Sequence, residues 1–362
     1  MSTLTDKYRP QTLDEIYGQE ANVTILKNSI KSNRLHSSYL FSGARGTGKT
    51  STARILAKII NCEKDNKPCN ICDNCISIHK KHSNDIIEID AASHRKVEDI
   101  EQVLEDIRFV PFHSKKKIYI LDEFHMLSDH AFNALLKVLE EPPTHIVFIL
   151  CTTVPEKIPD TVRSRCLQLI FKNPGIENIK KYLMYVCEKE NLKYDVEALE
   201  TLAERAGGSF RDALITLESL PEITTDSVRY YHNILDNKIV IPFIYAILTR
   251  NTKSCLQRLN KFVEEGGTIK YLVYESIRFL RLMNAASLGS DLKILRLSTT
   301  ETQNLAIDLT NRLCKNNNKP PIIEALLMLS DIRYAHFEAD LIKTEVAIIE
   351  YCARKEKEPV NV

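Results

Sequence analysis

One segment of the chain combines the residue types that bind phosphate groups in proteins. It reads Gly43-Ala44-Arg45-Gly46-Thr47-Gly48-Lys49-Thr50 and is followed by Ser51. An apolar run from Tyr39 to Phe41 precedes it, and a helical pattern from Ser51 to Ile60 follows it. Glycines allow backbone N–H groups to point at the β- and γ-phosphates of a nucleotide, Lys49 adds positive charge, and the Thr50 hydroxyl can bind Mg²⁺. The segment predicts a nucleotide-binding loop between a strand and a helix.

Two carboxylates, Asp122 and Glu123, follow an apolar run that begins at Lys117 and is typical of a buried strand. Ligands of parallel sheets bind at the carboxyl ends of the strands, so we expect both acids beside the glycine-rich loop. There Asp122 would hold Mg²⁺ through water, and Glu123 would orient and polarise an attacking water. Two acids after a strand also occur in plain solvated turns. The presence of the loop makes nucleotide hydrolysis the better interpretation.

A second apolar run, from Ile146 to Cys151, ends in Thr152-Thr153. Hydroxyl groups at that strand end can sense a γ-phosphate or the attacking water, but Ser and Thr are also ordinary residues at strand ends. The spacing alone leaves both interpretations open.

Four of the ten cysteines form a cluster with the spacing C-x6-C-x2-C-x2-C, namely Cys62, Cys69, Cys72 and Cys75. Four thiolates suit a tetrahedral Zn²⁺ and leave no open position for catalysis, so the cluster predicts a structural zinc knuckle. The alternatives are four reduced thiols without metal, or a site in which the nearby His79 or His82 replaces one cysteine.

Composition excludes several classes of protein. The chain has 362 residues, 44% of them hydrophobic, and its 49 basic and 48 acidic residues give a formal charge of +1. These values are typical of a soluble protein of two or three domains, in which any DNA-binding surface must be local. No apolar run reaches the roughly 18 residues of a membrane-spanning helix, and the N-terminus lacks a secretory pattern. We therefore expect a cytoplasmic protein.

The order of apolar patterns predicts the fold class. Four strand patterns alternate with helical patterns through the first half of the chain, which predicts an α/β fold with a parallel sheet and helices on both faces. From Asn173-Pro174 onward every pattern is helical. We predict three domains: a nucleotide-binding domain at 1–171 that contains the knuckle at 62–75, a small helical lid at 172–236, and a helical collar for oligomerisation at 237–362.

The combined motifs resemble one family over almost the full length: the gamma/tau subunit of the bacterial DNA polymerase III clamp loader, an AAA+ ATPase. The P-loop alone occurs in many families, whereas the cysteine insertion together with two short motifs is specific to this one. The segments that carry the resemblance are Tyr8-Arg9-Pro10, Gly18-Gln19-Glu20, Gly43 to Ser51, Cys62 to Cys75, Asp122-Glu123 with His125, Phe132 to Lys137, Ser164-Arg165-Cys166 and Gly208 to Ala213.

The resemblance implies roles for individual residues. Tyr8, Arg9, Pro10 and Ile16 would border the adenine base. Thr153 would be sensor 1, Arg165 an arginine finger that acts on ATP in the adjacent subunit, and Arg211 sensor 2, which reaches the γ-phosphate from the lid. Lys96 and Lys137 would line a surface that contacts DNA phosphates, although solvated surface lysines are an equally good interpretation of both.

The resemblance also implies a function. ATP binding and hydrolysis, with Mg²⁺ and a structural Zn²⁺, would open the sliding clamp and load it onto primed DNA within the DNA polymerase III holoenzyme. The partners would be the other loader subunits in a hetero-oligomer, by resemblance a pentamer, together with the clamp and primer-template DNA. Because the sequence ends at Val362, without the additional domains of the longer tau form, a tau-like tethering role is not expected.

Three rival functions make different demands on the sequence. A ring-forming AAA+ DNA motor, such as a branch-migration helicase, needs a DNA-binding domain or hairpin after the lid, and no such pattern is evident. A non-hydrolysing structural subunit of the loader should have a damaged loop or acid pair, whereas Lys49, Thr50, Asp122 and Glu123 are all intact. A small-molecule P-loop kinase leaves the knuckle, lid and collar without a task.

Overall fold

The computed structural model of the protein describes residues 3–93, 97–232, 234–235, 237–290, 300–314, 321–332 and 337–353. The strands are β1 Ser38–Gly43, β2 Ile86–Asp90, β3 Lys117–Asp122, β4 Ile146–Thr152 and β5 Leu167–Phe171. The first helices are α1 Leu4–Lys7, α2 Glu20–Lys31, α3 Lys49–Asn61, α4 Asp73–His79, α5 Val97–Asp106, α6 Asp129–Glu140 and α7 Asp160–Arg163. The later helices are α8 Ile176–Glu190, α9 Val196–Arg205, α10 Phe210–Ser219, α11 Thr225–Tyr231, α12 Asn237–Leu248, α13 Thr252–Glu264, α14 Ile269–Ser287, α15 Thr300–Cys314, α16 Ile322–Ser330 and α17 Phe337–Ala353.

The five strands form one parallel sheet with the order β2-β3-β4-β1-β5. The predicted α/β fold with a parallel sheet is therefore confirmed. The sequence indicated four strands, and the fifth is the short apolar stretch at Leu167–Phe171. Leu169 and Phe171 are buried in this edge strand while Gln168 and Ile170 are exposed, so its pattern differs from the continuous apolar runs of the central strands.

Helices cover both faces of the sheet because alternate residues of each strand point in opposite directions. Phe41, Ile120 and Ile149 pack with the apolar side of α3 on one face. Leu121 and Leu150 pack with residues of α6 on the other face. Burial on both faces explains why β1, β3 and β4 read as continuous apolar runs. The parallel pairing of β3 with β4 and of β4 with β1 places their carboxyl ends side by side.

The chain divides into two compact units. The first contains Met1–Asn191 and Ala206–Ser219, and the second contains Leu192–Arg205 and Leu220–Val362. Helices α8 and α10 thus belong to the first unit and α9 and α11 to the second. The core of the second unit is built from buried residues of α12, α13, α14 and the later helices, such as Phe243, Leu272 and Leu329. The three domains that the sequence predicts remain a prediction.

Within the described ranges, no helix is both long enough and apolar enough to cross a membrane.

Candidate functional site

The glycine-rich segment forms a tight loop between β1 and α3, as predicted. Gly46 and Gly48 have φ angles of 76° and 99°, a left-handed backbone conformation that glycine adopts without steric cost. Lys49 is buried at the first position of α3, and its Nζ donates hydrogen bonds to the carbonyl oxygens of Gly43 and Ala44, each at 2.8 Å. The loop and the lysine together form the cradle that an anion requires at a helix N-terminus.

Electrostatics at the loop favour an anionic ligand. Burial lowers the pKa of Lys49, while the negative groups that include Asp122 and Glu123 oppose that shift. A buried ammonium group is costly unless it is paired, so a bound phosphate would relieve the cost of burying Lys49.

The two acids lie where the sequence predicted them, at the end of β3 and beside the loop. Asp122 Oδ2 accepts a hydrogen bond from Thr50 Oγ1 at 2.7 Å, so the two predicted Mg²⁺ ligands meet. Glu123 has a φ of 47°, and its Oε2 accepts a hydrogen bond from Thr153 Oγ1 at 2.9 Å. The Thr153 hydroxyl therefore contacts the carboxylate that is predicted to activate water, and its role as sensor 1 stays a prediction.

His125 joins this group, although sequence reasoning gave it no chemical role. Its Nδ1 lies 3.5 Å from Glu123 Oε2 and 3.2 Å from Thr152 Oγ1, and its side chain is 9% exposed. The spacing Asp122-Glu123-x-His125 was the available signal, because a 3₁₀ turn at Phe124–Met126 brings the imidazole back toward the carboxylate.

A cavity of about 1200 Å³ surrounds the loop and the acids. Arg9, Pro10 and Ile16 are among its lining residues, and their contact with the adenine stays a prediction. Tyr8 is not among the described lining residues; its hydroxyl donates a hydrogen bond to Glu190 Oε1 at 2.5 Å. Three aromatic residues that the sequence did not indicate also line the cavity: Tyr17, Tyr182 and Phe210. They come from distant parts of the chain, and their ring centroids lie 5.2 to 6.4 Å apart.

The start of α10 docks directly on the glycine-rich loop. The backbone N–H of Phe210 donates to the carbonyl oxygen of Gly46 at 3.2 Å. A Cβ added to Gly46 would lie 2.0 Å from Ser209 Oγ and 2.8 Å from Ser209 Cβ, so only glycine permits this approach. The contact places Arg211, the predicted sensor 2, on the wall of the cavity.

Several arginine side chains lie in the cavity wall, together with acidic residues. Arg9, Arg54 and Arg211 all line it. Burial lowers the pKa of Arg9, the charges of Arg54 and Arg211 lower it further, and Asp6 and Glu88 oppose the shift. Arg54 is paired with Glu88, whereas Arg9 and Arg211 are close enough to affect each other's charge and could both contact an anionic ligand.

The predicted arginine finger lies outside this cavity. Arg165 is exposed between α7 and β5, and its guanidinium contacts Glu140 at 2.5 Å and the carbonyl oxygen of Thr161. Of the two lysines predicted to contact DNA, Lys137 is exposed on α6, and Lys96 lies outside the described residues.

The four clustered cysteines converge between α3 and α4. The sulfur atoms of Cys62, Cys69, Cys72 and Cys75 all lie within 4.8 Å of one another, and Cys69 Sγ is 3.9 Å from Cys75 Sγ. A tetrahedron with Zn–S bonds of about 2.3 Å has sulfur atoms about 3.8 Å apart. The donor set therefore fits Zn²⁺, and His79 and His82 are not part of it.

Backbone hydrogen bonds favour the thiolate form of Cys69. Hydrogen bonds from the N–H groups of Ile71 and Cys72 lower the pKa of Cys69 to about 6, against the effect of burial. Burial raises the pKa of Cys75 to about 12, and the neighbouring Cys72 and Cys62 also raise it. Without a cation between them, the four sulfur atoms do not ionise together.

This architecture is that of a P-loop domain of the AAA+ class. It combines the parallel sheet, the loop between β1 and α3, the acids after β3 and the docked helix that carries Arg211. A sequence model described as "DNA polymerase III, delta subunit" matches residues 18–175, and one described as "DNA polymerase III clamp loader subunit, ATPase lid domain" matches residues 178–218. The chain belongs to the gamma/tau subunit family of DNA polymerase III.

Individual relatives support that assignment. DNA polymerase III subunit gamma of Buchnera aphidicola subsp. Baizongia pistaciae is 38% identical over 298 residues, which cover 80% of each chain. The tau subunits of Salmonella typhimurium and Escherichia coli are 40% and 39% identical over 301 and 310 residues, or 80% and 82% of this chain. The chain spans about half the length of these tau relatives, 47% and 48%.

Among solved structures, the chain is similar to Thermotoga maritima RuvB, represented by its K64R mutant. That match has 18% sequence identity and a TM-score of 0.46, and it covers 83% of this chain and 91% of the RuvB chain.

Proposed function

We propose that the protein is the ATP-hydrolysing subunit of the bacterial replicative clamp loader, in the cytoplasm. In this role it binds ATP with Mg²⁺, assembles with the other loader subunits, and opens the sliding clamp for loading onto primed DNA. The observation that carries the proposal is the meeting of Thr50 with Asp122 at 2.7 Å beside the buried Lys49, in a chain of the gamma/tau family.

The residues of one chain divide the chemical work. Bound ATP and Mg²⁺ supply the scissile phosphoanhydride and neutralise the charge that develops on its oxygens. Lys49 and Arg211 bind the phosphates from opposite sides, and Asp122 orients the metal's water ligands. Glu123 orients the attacking water and polarises it, while Thr153 positions Glu123 or the γ-phosphate.

Hydrolysis is completed by a neighbouring subunit. Arg165 is exposed and is not among the described residues that line the nucleotide cavity, which suits a guanidinium that acts on ATP in the adjacent subunit. A finger of this kind contributes about 10³ to 10⁵ in rate, so turnover depends on the assembled interface. ATP therefore favours the closed assembly because its γ-phosphate gains contacts that exist only there.

Two further parts of the proposal concern the knuckle and DNA. Cys62, Cys69, Cys72 and Cys75 hold a structural Zn²⁺. Lys137, and Lys96 outside the described residues, contact DNA phosphates, so both contribute to affinity in a salt-dependent manner and not to sequence choice.

The test is steady-state ATPase activity of the purified chain, alone and with the other loader subunits, the clamp and primed DNA. We expect low turnover alone and strong stimulation only when all partners are present. Arg165→Ala should keep ATP binding but lose the stimulated turnover, whereas the matched control Arg163→Ala, which changes an arginine two residues away, should keep both. High turnover of the chain alone, or equal stimulation by any DNA without the clamp, would favour a DNA motor instead.

A further inference from the structure

A buried lysine lies between the cysteine cluster and the nucleotide cavity. Lys58 belongs to α3, the helix that begins at the glycine-rich loop, and it is 3% exposed. Its Nζ donates to Asn70 Oδ1 at 2.9 Å and to Gln11 Oε1 at 2.6 Å. Neither the motifs nor the proposed function assign a role to this residue.

Each acceptor of Lys58 leads to a different site. Asn70 lies between two of the clustered cysteines in the sequence, has a φ of 57°, and directs its backbone N–H at Cys75 Sγ. Gln11 lies in the N-terminal arm, and its Nε2 donates to the carbonyl oxygen of Arg9 at 2.7 Å. Arg9 and the adjacent Pro10 line the nucleotide cavity. A series of hydrogen bonds through Asn70, Lys58 and Gln11 therefore connects the sulfur of Cys75 to the backbone of Arg9 in the cavity wall.

Burial makes this connection strong. Removing an ammonium group from water is unfavourable, because its hydration is lost, unless hydrogen-bond acceptors and negative charge replace the water. Two side-chain amides supply the acceptors. The four-thiolate site with Zn²⁺ would supply the charge, because four thiolates and one divalent cation carry a net charge of −2. Removing the metal releases the four sulfur atoms from their common centre, so Cys75 no longer anchors the backbone of Asn70, which supplies one of the two acceptors of Lys58.

We propose that Lys58 is a positioning residue through which the zinc knuckle shapes the base-binding side of the nucleotide cavity. This inference rests on the proposed function, in which Arg9 and Pro10 border the adenine and the cysteines bind zinc. The knuckle then acts on the affinity for the nucleotide through the arm, and it leaves the glycine-rich loop unchanged.

The two halves of ATP distinguish this role from a general effect on stability. A displaced arm weakens contacts with the base, whereas the phosphate loop, held by β1 and α3, remains formed. Lys58→Met keeps an unbranched apolar side chain of similar volume but removes the ammonium group and both of its hydrogen bonds. ATP affinity should fall by about tenfold, which is the loss of about 1.4 kcal/mol, while the affinity for inorganic tripolyphosphate changes by less than about twofold.

The experiment measures Kd for ATP and for tripolyphosphate, by calorimetry on the full chain, together with zinc content. Zinc content should be the same in wild type and Lys58→Met, since Lys58 is not a ligand. Lys64→Met is the matched control because Lys64 is an exposed lysine of the same insertion, and it should change neither Kd. Gln11→Leu removes the connection from the arm side and should reproduce the Lys58→Met result if Lys58→Met folds poorly.

Chelation of zinc completes the thermodynamic cycle. In wild type, zinc removal should weaken ATP binding more than tripolyphosphate binding, and in Lys58→Met it should add no further loss. Wild-type affinity for ATP in Lys58→Met, an equal loss for tripolyphosphate, or additive effects of chelation and substitution would each overturn the inference while the proposed function stands. A wild-type chain that binds neither ligand overturns the proposed function and this inference together.

Discussion

A buried carboxylate of the nucleotide-binding unit lends itself to a quantitative test. Asp85 is 4% exposed, just before β2, and it anchors the loop that joins α5 to β3. Its Oδ1 accepts the backbone N–H of Phe112 at 2.6 Å, and its Oδ2 accepts those of His113 and Ser114, each at 2.8 Å. Asp85→Asn keeps the shape of the side chain but replaces one acceptor oxygen with a donor.

The loss of stability caused by Asp85→Asn follows from these three hydrogen bonds. With the amide oxygen in the Oδ2 position, two hydrogen bonds survive but lose the assistance of charge, and the N–H of Phe112 faces another donor. One lost bond at a buried N–H and two weakened bonds amount to about 2 to 4 kcal/mol. Local opening of the loop should then be about 30-fold more frequent or greater, at 1.4 kcal/mol per factor of ten.

Hydrogen exchange of the amides of residues 112–114 measures this directly. Asp65→Asn, the same change at an exposed aspartate, is the matched control and should leave the exchange unchanged. Exchange in Asp85→Asn within about twofold of wild type would refute the assignment of the loop's rigidity to this carboxylate.

The pH dependence has a definite sign. Burial raises the pKa of Asp85, but the N–H groups of Phe112, His113 and Ser114 outweigh burial and hold the pKa below its ordinary value. A lowered folded pKa contributes stability above the unfolded pKa of about 3.9, and that stability is lost as pH falls through the folded value. The difference between wild type and Asp85→Asn should therefore stay constant down to about pH 5 and shrink below about pH 4. A difference that grows with acidity contradicts this account.

Three further predictions concern separate sites. Thr153→Val removes the hydroxyl that contacts Glu123 and should lower kcat by about 10- to 100-fold in the stimulated ATPase assay, with ATP affinity nearly unchanged. Cys69→Ser should reduce bound zinc well below about one ion per chain, measured by a metal-sensitive dye, because a hydroxyl replaces one of four thiolates. Arg205→Met removes the 2.6 Å partner of the buried Glu275 and leaves it the longer contact with Arg278, at 3.4 Å, so the free energy of unfolding of the second unit, measured in urea, should fall by about 1 to 3 kcal/mol.

Conservative variants control for these effects. Thr153→Ser keeps the hydroxyl and should retain most of kcat. Cys352→Ser changes a cysteine outside the cluster and should keep its zinc. Arg205→Lys retains the charge and should recover part of the lost stability. If a conservative variant behaves like its severe counterpart, the contact named for that residue is not the cause.

The motifs predicted the centre of the site because its parts are local. Residues 43–51 form the loop by their own sequence, and Asp122 and Glu123 follow directly from the strand that carries them. Parallel pairing of β3 with β4 and of β4 with β1 brings these segments together. The strand patterns predicted a parallel sheet with its ligands at the carboxyl ends of the strands, but they did not predict this strand order.

Other features depend on contacts between residues distant in the chain, and no pattern signals them. Tyr17, Tyr182 and Phe210 meet at the cavity although more than 150 residues separate the first from the second. In the sequence, Lys58 is an ordinary polar position within a helical pattern. Its burial and its hydrogen bonds to Gln11 and Asn70 are visible only in the folded structure. The strand β5 was missed because an edge strand alternates between buried and exposed residues over only five positions.

The close approach of Gly46 to Ser209 has a mechanical meaning. Protein atoms in van der Waals contact are nearly incompressible, so two groups without space between them move together. Because Gly46 has no side chain to separate the loop from Ser209, and its carbonyl oxygen accepts the N–H of Phe210, a displacement of the loop should also displace the first turn of α10. The loop and the start of α10 are therefore expected to move together, with Gly46 as their point of contact.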